Sequence, residues 1–106
     1  MSIDSIRVSN ADDQPHNVRL VLLDGETVVF SDQNRVSSKD GRVAGTYVLP
    51  SGWGDNGNYK LAIRIDDQDW RQQHIQPKSG SECVDLSVRI NENGNAVVMS
   101  SPSEGC

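Results

Sequence analysis

A chain of 106 residues with 35% hydrophobic and 24% charged residues has room for a single globular domain, residues 1–106, and is neither a disordered segment nor a bilayer-embedded one. Its net charge is −5, built from eleven Asp against four Glu and seven Arg against three Lys. Such an acidic surface repels phosphate backbones and anionic lipid, which disfavours nucleic acid and membranes as partners.

Along the chain the apolar residues recur with a period near two, the period of strands. A modest first strand over Ile3–Val8 runs into the turn-rich cluster Asn10–Pro15. The segment His16–Leu23 is the strongest strand, with Val18, Leu20 and Leu22 on one face and Val21 and Leu23 giving the other face partial cover. Asp24-Gly25 reads as the centre of a tight hairpin turn, because both residues tolerate positive φ. Thr27–Phe30 returns as a third strand, rich in β-branched and aromatic residues. After Asp40-Gly41 a fourth is expected over Arg42–Leu49, where Gly45 marks a bulge or a close approach of backbone.

Residues 50–58 form a loop of glycine and polar residues around Trp53. Tyr59–Ile65 alternates cleanly, the aspartates at 66, 67 and 69 make the next turn, and Trp70–Ile75 follows as a strand with Trp70 in the core. Cys83–Ile90 places Val84, Leu86, Val88 and Ile90 on one face, and Asn93-Gly94 is the best hairpin signal in the chain, returning Ala96–Ser100. No stretch has helical periodicity over ten residues, so the expected fold is an all-β antiparallel sandwich of about seven or eight strands. The longest apolar run, Leu20–Leu23, is far shorter than the roughly 20 residues a bilayer span needs. The start of the chain lacks a basic segment followed by an apolar one, so no signal peptide is expected.

The cysteines, Cys83 and Cys106, are the most specific feature. With Asn93-Gly94 at the centre of a two-residue turn, Cys83 falls opposite Glu104, and Cys106 comes within bridging reach. The bridge would close a loop of about two dozen residues, contribute ~3 kcal/mol and imply an oxidising compartment. Free thiols and an intermolecular link are the alternatives. Two cysteines this far apart make neither a redox C-x-x-C nor a structural zinc site.

His16 and His74 are the only histidines; no nucleophile elbow accompanies them, and both are expected to face solvent. Asp66, Asp67 and Asp69, with Asp55 from a neighbouring loop, are the candidate calcium ligands, but the glycine-bearing frame of a calcium loop is missing and a hydrated turn is the better reading. Trp53, Asp55 and Asn56 form the candidate partner-contact loop, since an exposed aromatic on a rigid scaffold is a common contact device; the alternative folds Trp53 over the end of the core. The loop glycines match no phosphate-binding fingerprint, and no cofactor is expected.

The run from Val8 to Leu20, with its Asn-Ala-Asp-Asp-Gln-Pro-His core, resembles the opening of small immunoglobulin-like β-sandwich domains of haloarchaeal surface proteins and lipoproteins. Asp24-Gly25, Gly57-Asn58-Tyr59 and the placement of Cys83 and Cys106 match that family in order. The resemblance implies an immunoglobulin-like sandwich in an extracellular setting and transfers no active site. The expected lipobox cysteine is absent, which leaves surface anchoring open, and a cytoplasmic setting with it. Together these readings predict a non-enzymatic structural or protein-interaction domain on a cell surface or assembled particle. Its partners would be proteins, including further copies of itself in an oligomer or larger assembly. The alternatives are a capsid decoration protein of a haloarchaeal virus and a small-ligand or calcium module.

Overall fold

In the computed structural model, which describes residues 2–49, 57–75 and 83–103, eight strands follow one another with no helix among them. They are β1 (Ser2–Asn10), β2 (His16–Asp24), β3 (Thr27–Val36), β4 (Gly45–Val48), β5 (Tyr59–Ile65), β6 (Arg71–His74), β7 (Cys83–Ile90) and β8 (Ala96–Pro102). Two four-stranded sheets result, ordered β4-β1-β7-β8 and β3-β2-β5-β6. Every pairing is antiparallel except β1 with β7, which run parallel at the centre of the first sheet.

Alternation decides which side chains meet between the sheets. Val18, Leu20 and Leu22 of β2 and Tyr59, Leu61, Ile63 and Ile65 of β5 are buried against Val84, Leu86, Val88 and Ile90 of β7 and Ile3, Ile6 and Val8 of β1. Each such side chain contributes roughly 1.5–3 kcal/mol of burial. Ile3 and Ile6 both point inward although they differ in parity, because a bulge between Ile3 and Ser5 shifts the β1–β7 register. The close approach expected at Gly45 is present: a Cβ there would sit 2.0 Å from the Ser37 carbonyl oxygen.

The structure corrects several sequence expectations. The third strand extends beyond Phe30 to Val36, since Ser31–Arg35 pair with β2 through backbone alone and leave no apolar alternation to read. The fourth is shorter than Arg42–Leu49, because Asp40 and Val43 form only an isolated bridge ahead of Gly45. Trp70 is not core: it is 45% exposed, one residue before β6 and beside Arg19 and Val21 on the outer face of the second sheet.

Both tight turns are displaced by one residue from the positions read. Asp24 pairs with Thr27, so Gly25 and Glu26 are the central residues; only the first has positive φ, as a type II′ turn requires. At the last hairpin Ile90 pairs with Ala96, and the Asn91 amide donates to the Asn95 carbonyl at 2.9 Å. Asn93 keeps negative φ while Gly94 lies at +78°, so the turn spans Asn91–Gly94 and Gly94 takes the left-handed bulge position. Cys83 consequently lies opposite Ser103 rather than Glu104, and the Ser103 amide donates to its carbonyl at 2.9 Å.

Candidate functional site

Four connections meet at one end of the sandwich, around a histidine. His16 opens β2 and is 9% exposed, which corrects the expectation that it faces solvent. Asn10, fully buried, shapes the loop before it: its side-chain amide donates to the Gln14 and Ser37 carbonyls (2.8 and 3.1 Å), and its Oδ1 accepts the Asp12 amide at 2.9 Å. This brings Asp12 Oδ2 to 2.7 Å from His16 Nε2. On the other side Asp66, at φ 52° just after β5, accepts the Asn17 amide at Oδ1 (2.9 Å), and its Oδ2 lies 2.6 Å from His16 Nδ1.

Ionised carboxylates only accept hydrogen bonds, so both ring nitrogens must donate and the imidazole is held as a cation between two anions. Burial alone would lower the His16 pKa, but hydrogen bonds to Asp66 and Asp12 and their charges outweigh it and raise the value above 6.5. The Asp12 carboxyl is held below its ordinary 3.8 chiefly by the His16 hydrogen bond. At Asp66 burial pushes upward, and the His16 bond together with the Asn17 amide overcomes it, so its pKa is lowered as well.

The other connections close around this triad. The Lys39 amide donates to the Asp12 carbonyl at 3.0 Å, and Lys39 Nζ lies 3.6 Å from Asp13 and 3.9 Å from Glu92. Gln68 donates to the Gly94 carbonyl at 3.3 Å, and a Cβ at Gly94 would stand 3.6 Å from His16 Cε1. The loops β1–β2, β3–β4, β5–β6 and β7–β8 are thereby tied at one point. Because both ring nitrogens are occupied, neither offers a lone pair for general-base chemistry.

The sequence-predicted site residues are otherwise dispersed. Asp66 is engaged by His16 and Asn17, while Asp67 and Asp69 are exposed in the turn. Among the described residues no group of three or more His, Cys, Asp or Glu side chains is placed to hold a metal ion. Trp53, Asp55 and Asn56 lie outside the described residues, as does Cys106; Cys83 is buried at the start of β7. His74, exposed as expected, has Nε2 2.8 Å from Asn58 Oδ1.

A second feature is the seam where edge strands β6 and β8 face each other. A cleft of about 300 Å³ opens there over Leu61, Ile63 and Ile65. Arg71 and Gln73 reach across it to the carbonyls of Ala96 and Val98, both at 3.5 Å, the outer limit of a hydrogen bond. The opposite seam is filled differently: Tyr47 of β4 packs on the core and Asp32 of β3, paired with Leu20, points the same way. Burial raises the Asp32 pKa; burial and the Asp32 charge raise that of Tyr47.

Edge strand β8 is unlike the other edges. Its residues 96–102 carry no charge, while β3 holds Asp32 and Arg35, β6 holds Arg71 and His74, and β4 has only four residues. Val97 and Met99 point away from the core and are 49% and 50% exposed. The sequence places a strand at Ala96–Ser100, and the uncharged run from Ala96 to Ser101 after the final turn is the readable signal that sets it apart as an edge. Comparison with family models, curated proteins and solved structures finds no match to this chain.

Proposed function

We propose that this chain is a non-enzymatic interaction domain that binds a protein partner by strand addition at β8. The observation that carries the reading is the seven-residue, charge-free edge with half-exposed Val97 and Met99. Sheet proteins ordinarily blunt such an edge with charge, proline, a bulge or brevity; here Pro102 blunts only the last position, and the run 96–101 is suited to pairing with another chain. Among the described residues, a partner strand has only the two long bonds from Arg71 and Gln73 to displace. The occupied nitrogens of His16 add support for a non-catalytic role.

The finer parts of the reading rest on the sequence. An immunoglobulin-like sandwich of the haloarchaeal surface type, displayed on a cell surface or particle, accords with the acidic composition and the Val8–Leu20 resemblance. A Cys83–Cys106 bridge belongs to the same setting, and the Ser103–Cys83 hydrogen bond brings the chain to Cys83 three residues before Cys106. The test is photo-crosslinking in the cells that make the protein. A photoreactive residue replacing Val97 is expected to give protein adducts, and one replacing Arg19, on the outer face of the second sheet, is not. Adducts absent from position 97, or equal from both positions, would refute the reading.

A further inference from the structure

We infer that the strand added at β8 is β8 of a second copy, related by a two-fold axis at Val98. This rests on the strand-addition reading and names its partner. In the β7–β8 ladder the Ser103 amide and the Asn95 carbonyl turn toward β7, so the odd-numbered residues of β8 pair inward. The even-numbered residues 96, 98 and 100 turn their amides and carbonyls to the free edge, where Ala96 and Val98 already accept from Arg71 and Gln73.

An antiparallel partner centred on Val98 pairs Val98 with its own copy and Ala96 with Ser100 of that copy, each through outward amides and carbonyls. The same register sets Val97 against Met99 of the second copy on the outer face, so each half-exposed apolar side chain covers the other. No like charges meet across the axis, because the strand has none. Pro102 fixes the register: its position faces the free edge, where it has no amide to give, and a two-fold at Ser100 would oppose Val98 to this residue. An axis at Val98 leaves Pro102 outside the ladder. The two first sheets then join into one of eight strands.

Five residues on each side make a small contact, so the dimer is weak and is sought at high concentration. Sedimentation equilibrium from about 10 µM to about 1 mM is expected to show the mass rising from 11.6 kDa toward twice that value. Amide exchange at Val98 and Ser100 slows in parallel. Ser100→Pro removes an outward amide without touching the β7 ladder and should stay monomeric with an unchanged melting temperature; Met99→Lys serves if that variant does not fold. A wild type that remains monomeric at 1 mM, or variants that dimerise equally, would overturn the inference. Adducts from position 97 with other proteins only, in a monomeric chain, would overturn the two-fold while leaving strand addition standing; no adducts at all would overturn both.

Discussion

Replacing His16 by Gln tests whether the loop end is held by charge. The substitution keeps a polar side chain of similar reach but removes the cation, and leaves Asp12 and Asp66 facing each other without one. A hydrogen bond to a charged group is worth about 1.5–3 kcal/mol. The Asp66 side chain is 40% exposed, so solvent screening places its share near the low end. Counting the His16–Asp66 bond alone, the loss is about 1.5 kcal/mol, or a fall of roughly 6–12 °C in melting temperature for a domain of this size.

The pH profile is the sharper readout. The folded-state pKa of His16 lies above 6.5, so its contribution is complete below 6.5 and is lost as pH rises through the folded value. Asp12 and Asp66 have lowered folded values, so theirs is complete above the ordinary 3.8 and is lost as pH falls through those values. Stability measured by urea or thermal unfolding is therefore greatest between about pH 4 and 6.5 and declines on the alkaline side. His16→Gln should abolish the alkaline decline. A wild-type melting temperature that is flat from pH 6 to 9, or a variant that keeps the wild-type slope, would refute an ion triad at this site.

Gly45→Ala should lower stability by about 3 kcal/mol, because the new Cβ would collide with the Ser37 carbonyl, which is backbone and cannot swing aside; a near-unchanged melting temperature would show that the β3–β4 connection yields. Tyr47→Phe is expected to stabilise by about 1 kcal/mol, since the hydroxyl is buried with no hydrogen-bond partner among the described residues; a loss in urea unfolding would reveal a partner for it. Reductant should destabilise the protein by ~3 kcal/mol through opening of a Cys83–Cys106 loop, and identical melting curves with and without reductant would refute that bridge.

Of the central strands, β5 (Tyr59–Ile65) and β7 (Cys83–Ile90) were legible to the residue and β2 to within one, because each alternates against a buried face. Edge strand β3 was cut short, because Ser31–Arg35 is polar and a polar run has no apolar period to detect. The turns were legible as turns but not in register, because Asp-Gly and Asn-Gly satisfy both a two-residue turn and one in which glycine alone turns left-handed. The His16 triad was invisible for another reason. Its partners lie 4 residues before and 50 residues after it, and only the β2–β5 pairing brings Asp66 alongside Asn17.

Protonation at His16 and pairing at β8 are expected to act independently, although the Gly94 turn lies against the histidine. The position of β8 is set along its length by β7, through the pairs Arg89–Val97, Ser87–Met99 and Asp85–Ser101. A loosened turn therefore frays over residues 91–95, while Ala96, paired with Ile90 and next to the Arg89–Val97 pair, keeps its place beside Val98 and Ser100. His16→Gln, studied well below its melting temperature, should dimerise with wild-type affinity, and that affinity should not change between pH 6 and 9. A dimer that weakens in step with the alkaline stability loss would show instead that the turn holds the edge in place, and that the loop end governs assembly.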